Sequence, residues 1–270
     1  MRTEPGSRRS LFGRLAALAT AKPDPTFTPP PVAIADDLWA IERRTVVVLG
    51  LTLPCRSTLI RLRSGGLFIH SPPPLDDVAR SALDVLDPVV AIVAPNSFHH
   101  TYVPDHARAF PKVRLFSAPG LAQRIPRLPP MVTLSGAPPE EWRGEIDQFV
   151  VGPDRGLSEV TFFHRPTKTV ILTDFSMNLV HPHTRRQAVY WRLAGYRGSF
   201  GPSRLVRMTA FRDHRVAASY AARVLEWDFD RIIMCHGEVV DRDARGVFRE
   251  GFSQYLDGSA RQPHARARAV

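Results

Sequence analysis

The sequence is poor in cysteine: Cys55 and Cys235 are the only two in 270 residues. Two thiols exclude a disulfide scaffold and a thiolate zinc knuckle, and they leave the redox compartment open. Long apolar runs are also missing. None approaches the ~20 residues needed to cross a bilayer, so no membrane span is expected. There is no internal repeat, no recognition-helix motif and no ladder of aromatic and basic residues of the kind that reads nucleic acid. The net charge of +10 does not replace that motif. In residues 1–35, Arg2, Arg8, Arg9, Arg14 and Lys22 face only Glu4 and Asp24, and Arg261, Arg266 and Arg268 lie in the last ten residues, so the two ends hold +6 of the +10. Basic ends of this type more often solubilise or target a chain than read a sequence, and nucleic acid is not the expected main ligand.

What is present is an ordinary globular composition, 44% hydrophobic, on a chain long enough to bury a sizeable core. "SRRSLFGRLAALATA" carries a twin arginine, a short apolar stretch and a small-x-small ending at Ala19–Ala21. Arg14 interrupts the apolar stretch, which favours a basic tail on a cytoplasmic protein, with twin-arginine export as the alternative. The proline-rich "KPDPTFTPPP" at 22–31 reads as a linker. The expected organisation is a tail and linker over 1–35, a domain over 36–256 and a disordered basic tail over 257–270.

Within the domain, apolar runs alternate with turns. "TVVVLGL" (45–51), "TLIRLRS" (58–64) and "GLFIHS" (66–71) read as strands, with a tight turn at "SGG". "PLDDVARSALDVLD" (74–87) opens on proline and acids and carries one apolar side, so it reads as a helix. "VVAIVAP" (89–95) reads as a strand buried on both faces. A short helix near 104–110, strands over 112–119 and 145–152, and a hairpin of 158–164 and 168–174 follow. Helices are expected over 184–196, 213–226 and about 242–256, with a last strand at "RIIMCHG" (231–237). The order suggests two facing sheets covered by helices, a four-layered α/β arrangement.

Three apolar strands end on candidate metal ligands: His99 and His100 in "NSFHH", Asp174 in "ILTD", and His236 in "MCHG". The C-terminal edges of strands are where α/β proteins build sites. Three imidazoles and a carboxylate suit Zn²⁺ first, with Fe or Mn as alternatives and no metal as the remaining case. Each residue also has an ordinary reading: a solvated loop histidine, a turn-capping aspartate, or a turn in which only Gly237 matters.

The order and spacing of these residues resemble a degenerate, poorly characterised branch of the metallo-β-lactamase superfamily, over about residues 36–256. That resemblance implies an αββα sandwich. It also implies the motif H-x-H-x-D-H after a strand, a further histidine, a bridging aspartate and a final histidine. The last two positions of the motif fall on His99 and His100, the bridging aspartate on Asp174 and the final histidine on His236. The first two motif histidines fall on Pro95 and Ser97, and no histidine occurs near "GPDRGLSE", where Asp154 is the nearest substitute. An aspartate that supports the site from an early strand is replaced by His70. One metal position is therefore stripped. The other keeps His100, Asp174 and His236, with His99 in place of an aspartate as a fourth ligand.

The expected activity is that of a hydrolase with a single-metal site, activating water against an ester, lactone or amide. If all four residues closed a tetrahedron, the site would be structural. The alternatives are a non-catalytic binding or interaction protein on the same sandwich and, further off, a nucleic-acid processing enzyme. Substrate and oligomeric state are not legible. His70 is a candidate to orient a ligand, or a core histidine. His181 and His183 belong to a loop that could enter the cleft, and His164 is expected to be exposed. Cys235 should face away from His236 by strand alternation, and Glu238 could act as a base only if its turn brings it inward.

Overall fold

The computed structural model describes residues 22–23, 28–46, 52–152, 158–196 and 198–260. Asp154, residues 47–51 of the first expected strand, most of the N-terminal segment and the last ten residues lie outside these.

Two sheets form the centre. The first contains β1 (Lys22–Pro23), β2 (Val32–Ala35), β3 (Leu38–Val46), β4 (Thr52–Arg61), β5 (Leu67–His70), β6 (Val89–Ala94), β7 (Arg114–Ser117) and β8 (Val132–Thr133). Its order is β1-β3-β4-β5-β6-β7-β8, with β2 also on β3. The β3–β4 and β4–β5 pairs are antiparallel, whereas β5 through β8 run parallel. The second sheet contains β9 (Ile146–Val151), β10 (Glu159–His164), β11 (Thr169–Leu172) and β12 (Arg231–Met234), in the order β12-β11-β10-β9. β9, β10 and β11 are antiparallel and β12 joins β11 in parallel.

The helices are α1 (Asp77–Leu86), α2 (Val103–Ala109), α3 (Leu121–Arg124), α4 (Arg185–Leu193), α5 (Arg204–Met208), α6 (His214–Glu226), α7 (Ala244–Gly251) and α8 (Ser253–Ala260). Strand alternation sorts the core into three seams. Phe68, Ala91, Val93 and Phe116 of the first sheet meet Val160, Phe162, Ile171 and Ile233 of the second. The intervening residues Ile69, Ile92, Ala94 and Leu115 face outward onto Leu83, Val103 and Leu121 of α1 to α3. On the far side, Phe163, Val170, Leu172, Ile232 and Met234 pack on Tyr220, Phe248 and Phe252 of α6, α7 and the turn into α8. The result is the four-layered αββα sandwich expected from the sequence.

Several boundaries move for physical reasons. β4 begins six residues before the expected strand, because Thr52 to Ser57 pair with β3. α1 is capped by Asp76, whose carboxylate accepts from Ala79 N at 2.7 Å, and so begins after the proline. Asp213 caps α6 as expected. The last expected helix is two, α7 and α8, broken where Gly251 packs on Phe200 and Gly201. β2 lies inside residues 1–35 and α8 reaches Ala260, so folded elements extend beyond 36–256 at both ends.

Candidate metal centre

The site is assembled where β5, β6, β11 and β12 end. Val93 and Ala94 bring the chain to Asn96, which is fully buried and bridges to Glu159 at the start of β10. Asn96 Oδ1 accepts from Phe98 N (2.9 Å) and His99 N (3.1 Å), an Asx turn that fixes the histidine doublet. Its Nδ2 donates to Asp174 Oδ2 at 2.6 Å. One side chain thus orients two of the three groups that converge.

Those groups are His99, Asp174 and His236, each offering a ligand atom within 4.8 Å of the others. His99 Nε2 is 3.2 Å from His236 Nε2 and 3.4 Å from Asp174 Oδ2, and His236 Nε2 is 3.0 Å from Asp174 Oδ1. His236 Nδ1 lies 2.7 Å from the Pro54 carbonyl, an oxygen that can only accept. The Nδ1 therefore carries a proton, and the Nε2 faces the cluster. His99 Nδ1 is 2.6 Å from Ser71 Oγ, which leaves its Nε2 for the same space. Two ring nitrogens and a carboxylate converge at these distances. Such a set calls for a proton or a cation. Bonds of about 2.0–2.1 Å to a tetrahedral zinc put ligand atoms about 3.3 Å apart, so the observed spacings fit a divalent ion.

Burial would penalise the Asp174 charge, but attraction from His99 and hydrogen bonding with His236 and His99 hold its carboxyl below the ordinary carboxylate range. Burial lowers His99 despite Asp174.

His100 is not in the cluster. Its carbonyl accepts from Val103 N and so opens α2, while its buried Nδ1 has no hydrogen-bond partner among the described residues. Burial pushes His100 down to about 4. Both histidines were expected as ligands; His99 converges, with the Asx turn at Asn96 holding its backbone beside Asp174, whereas His100 is not among the converging groups.

Glu159 was not legible as part of the site. It is fully buried, and its carboxylate accepts from Thr173 N (3.0 Å), Asp174 N (2.7 Å) and Phe175 N (3.0 Å), with Asn96 Nδ2 at 3.4 Å. It pins the backbone on both sides of Asp174. Burial and the Asp174 charge push the Glu159 carboxyl up to about 8, against those backbone hydrogen bonds. The four donors nonetheless suit a carboxylate, since a protonated acid would aim its O–H at an N–H. The sequence signal was a lone acid opening an otherwise apolar and β-branched strand.

His70 is a buried neighbour, with Nε2 3.4 Å from Thr173 Oγ1 and Nδ1 4.0 Å from Cys235 Sγ. Burial, with His99 adding to it, holds His70 down to about 3. Neither cysteine is in a disulfide, and both are buried. His181 is exposed and pairs with Glu238, and His183 is exposed on the approach to α4, so none of these three enters the cluster. His164 is buried rather than exposed, at the opposite end of β10. Gly237 takes φ +97°, and a Cβ there would collide with the Asn178 carbonyl oxygen. Asn178 N in turn donates to His236 O at 3.1 Å. Asn178 also lines a cavity of about 610 Å³ with Tyr196, Phe200, Arg207, Asp241 and Glu250.

Solved structures share this fold. DIM-1 metallo-β-lactamase exposed to ceftazidime is 12% identical with a TM-score of 0.59, covering 85% of this chain and 99% of that one. The mono-zinc form of the metallo-β-lactamase FIM-1 from Pseudomonas aeruginosa is 13% identical at 0.56, over 87% and 98%. The metal-soaked flavodiiron core of Flv1 from Synechocystis sp. PCC6803 is 12% identical at 0.58, over 87% and 63%. At such identities the likeness establishes the metallo-β-lactamase fold alone. No curated protein matches the sequence. The profile of one sequence family does match, over residues 35–187 and thus more than half of the chain, which therefore belongs to the family described as Domain of unknown function (DUF4336).

Proposed function

We propose that the protein is a metal-dependent hydrolase with one divalent ion, zinc in first place, held by His99, Asp174 and His236 and acting on an ester, lactone or amide. The observation that carries this reading is the ligand count. Structural zinc sites are closed by four protein ligands, whereas catalytic sites use three and keep a position open. His100 stands outside the cluster, so three remain. A divalent ion in such a site supplies Lewis acidity and lowers the pKa of water toward about 7.

The chain's own residues do the positioning. The Pro54 carbonyl fixes the His236 tautomer, Ser71 orients His99, and Asn96 holds Asp174. Glu159 holds the backbone beneath Asp174. Such supporting bonds typically govern metal affinity by 10–100-fold. The fold of the metallo-β-lactamases named above is compatible with this chemistry but does not establish it.

A panel of ester, lactone and amide substrates, run with wild type and Asp174→Ala, tests the proposal. Turnover of at least one class by wild type, falling to background in the variant, is expected. Retained metal without turnover of any class would instead favour a binding protein on the same scaffold.

A further inference from the structure

Charge and apolar exposure coincide in one segment, residues 185–215. Residues 185–215 contain eight arginines and a single acid, Asp213, for a net +7. The whole chain carries +10 and its two ends +6, so the remainder of the body is at −3. The basic character of the folded body is thus concentrated in this one segment.

The same segment exposes apolar side chains. Eight large hydrophobic residues are exposed among those described, and four of them lie here: Val189 (60%), Leu193 (68%), Leu205 (41%) and Met208 (67%). On α4, Gln187 and Trp191 point into the protein, while Arg185, Arg186, Val189, Arg192 and Leu193 are exposed. On α5, Val206 is buried, while Arg204, Leu205 and Met208 are exposed. Arg204 N donates to the Ala194 carbonyl at 3.1 Å, so α5 starts beside the end of α4. Among the described residues, Arg185, Arg186, Arg192, Arg204, Arg212 and Arg215 form no ion pair.

From this juxtaposition we infer that the α4–α5 face docks on an anionic lipid surface. Exposed arginines and exposed Val, Leu and Met side chains share the same two helices, the composition of an interfacial segment that inserts apolar groups between acidic headgroups. Nucleic acid would use the arginines but gains nothing from four exposed aliphatic side chains. A water-facing surface has no use for them either. No helix among the described residues is long and apolar enough to cross a membrane, so the contact is peripheral. The inference does not depend on the metal reading.

Flotation of the full chain with vesicles tests it. The chain should float with phosphatidylcholine vesicles containing phosphatidylglycerol, remain unbound with phosphatidylcholine alone, and be released by salt. Because the basic ends could also hold an anionic vesicle, variants of the face decide. Each arginine near an anionic surface contributes roughly 1 kcal/mol, about 5-fold, so R186Q/R192Q should weaken binding on the order of 25-fold. L193S/M208S, which changes only exposed side chains, should also weaken it while leaving the thermal melt unchanged. Wild-type binding by both double variants would overturn the inference, as would absence of binding to anionic vesicles. Concentration-dependent dimerisation lost in L193S/M208S, without vesicle binding, would assign the face to a second copy and overturn it equally.

Discussion

At the scale of single residues, the site depends on side chains that hold the candidate ligands as much as on the ligands. Asn96 turns His99 inward and grips Asp174. Asn96→Ala should lower zinc affinity by 10–100-fold with secondary structure retained, measured by competition titration; affinity within twofold of wild type would remove Asn96 from the account. Glu159→Gln is nearly isosteric but turns an NH₂ toward backbone N–H donors. It should cost about 1–3 kcal/mol in urea unfolding. His99, Asp174 and His236 could be proposed from sequence because imidazoles and a carboxylate at strand ends are a recognisable pattern. Which of two adjacent histidines converges could not, because an Asx turn is set by a hydrogen bond and not by spacing. Glu159 escaped because its role lies in three backbone amides of a strand neighbour.

At the scale of elements, β10 shows how one strand serves both site and core. Its first residue pins Asp174, and its last, His164, is buried with Nδ1 2.8 Å from Thr167 Oγ1. Burial pushes His164 down to about 4, with Asp37 opposing and Arg63 adding. The ring is neutral in the folded chain, whereas in the unfolded chain it titrates at its ordinary value near 6.5. Its contribution is therefore intact above pH 6.5 and is lost as pH falls toward 4, because the unfolded chain takes up a proton that the folded one refuses. His164→Gln should flatten the dependence of the melting temperature on pH between 6.5 and 4; an unchanged slope would contradict this. The hairpin was legible from "RPT" between two β-branched runs, but the burial of His164 was not, because a histidine before a turn is ordinarily solvated. The α4–α5 segment was not legible for a related reason: its charge is diluted by the acidic remainder of the body.

At the scale of the whole molecule, the sandwich was legible because strand and helix periods alternate in a fixed order and central strands such as β5 and β11 are buried along their whole length. The two ends of the fold were not. β2 is short and proline-flanked, and the break between α7 and α8 arises from the packing of Gly251 on Phe200. The sandwich brings Asn96, Asp174 and His236 together from positions 78 and 62 residues apart along the chain. Gly237→Ala would force the β12 turn away from Asn178 and should lower both the melting temperature and metal binding.

The central claim is that three side chains, and not four, hold one ion. Metal content by elemental analysis after zinc loading and exhaustive dialysis tests it most directly. About one equivalent is expected in the wild-type protein and in His100→Ala, and well under half an equivalent in Asp174→Ala and His236→Ala. A wild-type protein that retains no metal, or a His100→Ala protein that loses it as fully as Asp174→Ala, would contradict the account.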